Sequence, residues 1–372
     1  KVIFDGAGNG KNPYGSLTLA PNGKMYGMTQ SGGANNLGIL FEFDPVTETF
    51  TKKIDFVSVT QGRNPFGSLI LASNGLLYGL TSAGGANNRG VLFEYNTATG
   101  VLTKKWDFDG TATGRSPYGS LMQASNGNLY GMTFAGGSNN MGVLFEYNIT
   151  TGVLQKKVDF SGAANGSRPY SALTEFSNGL LYGLTTQGGS AGFGVLFEYD
   201  PATGVCTKKI DFGGTITGRA PYSILINAYG ALAGMTSAGG LNGSGVLFRF
   251  DPVAGVITKM QDFDDVAMGR TPFGSLMQAS NGKLYGVTSA GGLNNNGVIF
   301  ELDFLSNTFV KKFDFAIIID GGYPYGSLIH ASDGKLYSNT TYGGTNDFGV
   351  MFRLNPSDLL FEKLLDFNDI GN

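Results

Sequence analysis

The sequence holds one cysteine, one histidine and one tryptophan in 372 residues. A lone cysteine, Cys206, excludes an internal disulfide. The same counts exclude zinc sites built from several cysteine or histidine ligands. A Ser-His-Asp triad would rest wholly on His330, which follows an apolar run at a place held elsewhere by Leu19, Leu71, Gln123, Glu175, Asn227 and Gln278. A single polar substitution at a tolerant position is the simpler account. Charge is also scarce, at 14% of residues, with a net charge of −3 and the signs scattered. That balance argues against nucleic acid or another polyanion as partner. No apolar run reaches the roughly 18 residues a membrane span needs, so membrane insertion is not expected. Helical periodicity is missing too, and glycine interrupts nearly every window, so essentially no helix is expected.

What is abundant is glycine, 60 residues of it, and it recurs periodically in turns. The stretch 75–95, GLLYGLTSAGGANNRGVLFEY, sets two β-branched and aromatic runs around a glycine-asparagine loop, which is a hairpin signal. It recurs seven times. A proline followed by an aromatic precedes each copy, at Pro13, Pro65, Pro117, Pro169, Pro221, Pro272 and Pro324, with spacings of 52 or 51 residues. The second copy contains four strand-like runs: Gly67–Ala72, Leu76–Ser82, Gly90–Tyr95 and Val101–Phe108. Short turns between them force antiparallel neighbours. Consecutive residues of Val91-Leu92-Phe93 are all apolar, so each sheet must be covered on both faces. A closed circle does that without capping units, and the terminal copies look like the middle ones. The expectation is all-β: a seven-bladed β-propeller with four antiparallel strands per blade and about 52 residues per repeat, forming a single domain over residues 1–372.

The run 281–292, NGKLYGVTSAGG, followed by Gly297-Val-Ile-Phe-Glu-Leu-Asp303, resembles a Kelch repeat. It is closer still to the GloVer tandem repeats of secreted bacterial proteins, with their LYG-T-GG hairpin followed by G-V-L-F. The resemblance covers essentially the whole chain. It departs from Kelch in the last strand, where only Trp106 occurs and the other copies carry Ile54, Val158, Ile210, Gln261, Phe313 and Leu365. A GloVer resemblance implies a bacterial propeller that is secreted or held at the cell surface, and it implies no known reaction. The copper-oxidase chemistry of some Kelch propellers, which needs two histidines and a Cys–Tyr pair, is excluded by the counts above.

Residues 1–5 repeat the end of a fourth strand, and the chain ends in another copy, Leu360–Phe367. The C-terminal copy is expected to complete blade seven, because a short turn joins it to its own third strand. The stub at the start suggests a processed or excised segment, with any signal segment lying outside this chain. Doubled lysines of the fourth strand, such as Lys104-Lys105, read as protection of an exposed sheet edge. Arginines two residues before the proline (Arg63, Arg115, Arg219, Arg270) and acids such as Asp55 and Asp107 read as inter-blade braces. Blade five is expected to be loosest, since Ala233 stands where other copies have the tyrosine of LYG.

Carboxylates for glycoside hydrolysis cannot be paired from the sequence. Glu175 is the one acid at its strand-one position, and Asp264, Asp265 and Asp320 lie in interblade links. Asp262, Asp264 and Asp265 could offer oxygens to Ca²⁺, but their spacing is not that of an EF-hand loop. No catalytic residue, metal site or cofactor is assigned. Function is sought instead where copies differ, on the loops that a rigid scaffold holds. The link between blades and the loop between the second and third strands must emerge on one face. There Ile317, Ile318, Tyr323, Tyr342 and Phe348 are apolar or aromatic and break the pattern of their repeat. Arg89 and Phe193 occupy the loop-tip position of Phe348 in other blades. These seven residues form the expected ligand site, aromatic faces being suited to sugar rings or a protein hot spot. The expected role is a non-catalytic binding module for a glycan or a surface protein, as a monomer or part of a longer chain. A structural spacer or a carbohydrate-active enzyme are the alternatives.

Overall fold

The computed structural model describes residues 8–367. It is an all-β, seven-bladed propeller: seven antiparallel sheets succeed one another, each with its strands in chain order. Blade two shows how the repeat becomes a blade. Its inner strand is in two pieces, Arg63–Pro65 and Ile70–Leu71, followed by Leu77–Ala83, Val91–Asn96 and Val101–Asp107. The outer three match the sequence expectation closely. The inner one does not run unbroken over Gly67–Ala72. Pro65 lies opposite Thr81 and Ile70 opposite Tyr78, so the inner strand takes five steps where its neighbour takes three. Asn64, at φ 54°, turns the chain just before the proline. The two surplus residues leave the ladder as a bulge, and this frees the side chain of Phe66 to face the axis.

The LYG-T-GG signature has a physical reading at each position. Gly79 is required by packing, because a Cβ there would meet the Phe93 ring and Leu69. Thr81 is fully buried; its hydroxyl donates to the carbonyl of Ala83 and accepts from the amide of Val91 at 3.1 Å. Gly90, at φ 108°, lies where a Cβ would be 2.5 Å from the Thr81 carbonyl and 2.8 Å from Pro117 of the next blade. That proline and that glycine are therefore complementary parts of one inter-blade contact. In the loop, Asn88 accepts from the amide of Gly84, and Asn87 donates to the carbonyl of Phe108.

The core is a series of seven apolar clusters, each shared by two neighbouring blades. Tyr78, Leu80 and Leu92 of blade two pack with Leu129, Phe145 and Tyr147 of blade three. Leu17, Met25 and Phe41 of blade one pack with Tyr337, Met351 and Phe367 of blade seven, which closes the ring. Blade seven is completed by Phe361–Asp366, paired with Val350–Leu354, as expected for the C-terminal strand copy. The N-terminal copy at residues 1–5 lies outside the described residues.

Two expectations are corrected. The arginines do not brace the strand-four acids: Arg63 donates to Asn88 of its own blade at 3.2 Å, and Arg115 and Arg270 do the same to Asn140 and Asn295. The acids are already engaged. Asp107 takes Lys104 at 2.7 Å and the loop amide of Ala86 at 2.8 Å, so the lysines are ion-paired along the edge strand. Nor is there a vacancy beside Ala233. Phe304, 4% exposed, packs in the same cluster. Arg249, the strand-three partner of Ala233, lies over the Phe304 ring at 5.7 Å, and the Tyr229 ring stacks with that of Phe304 at 6.1 Å.

Among the described residues, helix is confined to two single turns in the links between blades, Ser58–Gln61 and Ile317–Asp320. The second is the Ile-rich link singled out in the sequence, and the Asp320 carboxylate accepts from the amide of Ala316 at its start.

Candidate functional site

The bulge of the inner strand recurs, and it carries an aromatic residue to the axis from all seven blades. The rings form a closed circuit of neighbours. Tyr14 stacks on Phe66 at 4.2 Å, Phe66 meets Tyr118 at 5.4 Å, and Tyr118 stacks on Tyr170 at 5.3 Å. Tyr170, Tyr222, Phe273 and Tyr325 follow at 4.8–4.9 Å, and Tyr325 returns to Tyr14 at 5.3 Å. Tyr170 also reaches Phe66, two blades away, at 5.5 Å, so its ring leans across the axis. All seven are half-buried, and all seven line one cavity.

That cavity has a volume of about 410 Å³ and continues from the rings past the next two residues of each copy, Ser223 of blade five excepted. Those residues are glycine then serine in five blades, and the serines tie the ring together. The amide of Ser16 donates to Ser68 Oγ and that of Ser68 to Ser120 Oγ, both at 2.8 Å. Ile224 donates to Ser275 Oγ, Ser275 to Ser327 Oγ, and Ser327 to Ser16 Oγ, at 2.6–2.7 Å. Glycine is needed beside them, because a Cβ at Gly67 would stand 2.5 Å from the carbonyl of Gly119. The chemistry on offer is therefore flat apolar faces, phenol and serine hydroxyls, and no ionisable acid, imidazole or ammonium in the lining. Burial, with the neighbouring phenols, raises the hydroxyl of Tyr170 above its ordinary range. Burial and the hydroxyl of Tyr342 do the same for Tyr14. Both therefore remain hydrogen-bond donors at any physiological pH.

The residues expected to form the site fall in three places. Tyr323 and Tyr342 meet edge to face at 5.9 Å, and the Tyr342 hydroxyl lies 3.3 Å from that of Tyr14. Tyr342 thus joins the loop face to the aromatic circuit. Phe348 is half-buried, with the ammonium of Lys11 over its ring at 5.4 Å. Ile317 and Ile318 sit on the single-turn helix, and Ile318 is 76% exposed. Arg89 and Phe193 belong to blades two and four, away from these. Arg89 is exposed beside Gly110; Phe193 packs into its blade's cluster, with Arg219 over it at 5.9 Å. The acids weighed for hydrolysis are occupied: Glu175 accepts from the amide and hydroxyl of Ser125, and Asp264 from the amides of Ala267 and Met268. No group of three or more His, Cys, Asp or Glu positioned to hold a metal ion occurs among the described residues.

Sequence reasoning passed over the aromatic ring because it occurs in every copy and so reads as blade punctuation. The signal was nevertheless present: a large ring placed directly after a proline in every copy and before two small residues in six of the seven.

The model of the Gloeobacter/Verrucomicrobia repeat matches residues 1–163, 107–279 and 234–372. The chain belongs to that repeat family. No curated protein matches it in sequence. Among solved structures, this family member is similar in fold to the extracellular domain of a putative hybrid two-component system of B. thetaiotaomicron. That match has a TM-score of 0.64 at 13% identity, covering 91% of this chain and 39% of the other. The chain thus spans about two fifths of that protein domain's length. It is also similar to an oligogalacturonate lyase of Vibrio parahaemolyticus, with a TM-score of 0.63 at 10% identity, covering 96% and 93% of the two chains. A putative 6-phosphogluconolactonase of Bacteroides uniformis gives 0.60 at 15% identity, covering 94% of each. At such identities the shared feature is the fold. No helix among the described residues is long and apolar enough to cross a membrane.

Proposed function

We propose that this repeat protein is a non-catalytic binding propeller, secreted or displayed at the cell surface, that takes a sugar unit of a glycan in its axial cavity. One observation carries the reading: seven half-buried aromatic rings, one per blade, converge on a single cavity of about 410 Å³, which falls within the usual size of small-ligand sites. Aromatic faces desolvate the apolar face of a sugar ring at low entropic cost, while phenol and serine hydroxyls meet its polar edge. Tyr323 and Tyr342 form the rim on the blade-seven side, with Ile317, Ile318 and Phe348 beyond it as an outer contact for a longer chain. Arg89 and Phe193 are the comparison positions in other blades. General acid–base chemistry needs a titrating group within hydrogen-bond reach of the substrate, and the lining supplies ring faces and hydroxyls instead. The extracellular setting named for one structural neighbour agrees with a role outside the cell.

A glycan array probed with the whole chain tests this. Tyr170→Ala and Tyr222→Ala are expected to weaken binding by about 1 kcal/mol or more each, and Tyr342→Ala by less. Binding that survives both cavity variants, with the fold intact, would remove the axial cavity as the site.

A further inference from the structure

The seven blades are not equivalent around the cavity, and their departures gather on one side. Blades four and five replace the Gly-Ser pair with Ser171-Ala172 and Ser223-Ile224. The two serines that follow the aromatic behave differently. Ser223 turns back to its own blade, accepting from the amide of Met235 at 2.9 Å and donating to its carbonyl. Ser171 lines the cavity, is 5% exposed, and its hydroxyl has no partner. The girdle is also interrupted here. Ala172 and Ile224 have no Oγ to accept from the amides of Ser120 and Ala172, as Ser68 does for Ser16. Above the same blades a third departure appears. Arg168 stands one position later than the arginines that bind loop asparagines, and its guanidinium lies over Phe134 at 5.0 Å. Phe134 in turn touches Tyr118 and Tyr170 of the aromatic circuit, at 5.4 and 6.1 Å. Its counterparts in the other blades are Gln30, Ser82, Thr186, Ser237, Ser289 and Thr341.

These features share one chemical sense. A buried hydroxyl without a partner and two backbone amides without their girdle acceptor are donors in want of an acceptor. A cation stands at the rim above them, and no carboxylate lines the cavity to compete. We infer that the cavity is selective for an acidic sugar, a uronate whose ring stacks on the aromatic circuit while its carboxylate points to the gap between blades three, four and five. The inference rests on the cavity being the binding site. It adds which ligand class is taken and in which orientation. Arg168 would strengthen the preference from the rim by charge, and Ser171 by a charge-assisted hydrogen bond.

Methyl β-glucuronide and methyl β-glucoside differ only in a carboxylate against a hydroxymethyl group, so titration calorimetry with the pair isolates it. The wild-type chain is expected to bind the glucuronide at least tenfold more tightly. The double variant Ser171→Gly with Ala172→Ser installs the Gly-Ser pair that five other blades already carry, so it should fold at least as stably. It is expected to reduce the preference, read as the ratio of the two affinities, below threefold. Arg168→Gln should lower the preference and flatten its salt dependence. Equal affinity for both glycosides in the wild type, or a preference that survives the double variant, overturns this inference. If in that case Tyr170→Ala still weakens binding of both, the cavity reading stands without it. Failure of the wild type to bind either glycoside overturns both.

Discussion

The amide of Ser327 donates to the hydroxyl of Ser16 at 2.7 Å, joining the last blade to the first across 311 residues of chain. The same contact links blades one and two, where the intervening chain is 52 residues. Ring closure therefore uses the bond that every regular pair of blades uses, at the seam as elsewhere, and the cavity wall is continuous through it.

This makes the girdle a measurable element of stability. Ser16→Ala leaves the half-buried amide of Ser327 without its acceptor, a loss of about 0.5–1.5 kcal/mol. Thermal unfolding should show that loss, with near-UV signals of the aromatic ring changing in parallel. Ala172→Ser, which supplies the acceptor that the amide of Ser120 lacks, should shift the midpoint upward. An Ala172→Ser midpoint below that of the wild type would mean that the gap cannot accept a hydroxyl.

Blade five offers a second test. Phe304 belongs to blade six and fills the region around Ala233, so Ala233→Tyr is expected to lower the melting temperature by overpacking. Phe304→Ala should cost about 3 kcal/mol or more. The two changes together should be less harmful than their separate effects combined, because the new ring would enter the space the old one leaves. Strict additivity in this double-mutant cycle would show that the two side chains do not share that space.

Alkaline pH should unfold the protein through its tyrosines. Burial pushes the hydroxyls of Tyr95, Tyr182 and Tyr285 up to about 12, helped at Tyr182 and Tyr285 by the hydrogen bonds these donate to the carboxylates of Glu198 and Glu301. In the unfolded chain these groups titrate near 10. A group whose pKa is raised in the fold contributes stability that is complete below the unfolded value and is lost as pH rises toward the folded one. Urea midpoints should therefore hold up to about pH 10 and fall steeply from there to about 12. A midpoint unchanged across that window, or replacement of Tyr95, Tyr182 and Tyr285 by Phe leaving the alkaline fall unaltered, would contradict this.

The repeat itself, the number of blades and the strands of Leu77–Ala83, Val91–Asn96 and Val101–Asp107 were legible in the sequence. Alternation, turn residues and a 52-residue period are local properties, and the antiparallel order follows from turns too short for a crossover. Gly90 was read as the start of the third strand, but its contact with Pro117 could not be seen there. The site was legible only in part. Tyr342 and Tyr323 stood out as candidates because they differ from their counterparts, but the ring from Tyr14 to Tyr325 did not, because each member looks like ordinary repeat punctuation. Only closing the circle turns seven equivalent residues, some 50 positions apart, into neighbours 4–6 Å apart around one cavity. The gap beside Ser171 has the same origin. A missing hydroxyl at Ala172 means nothing within its own blade; it matters because the amide it leaves without an acceptor belongs to the blade next door.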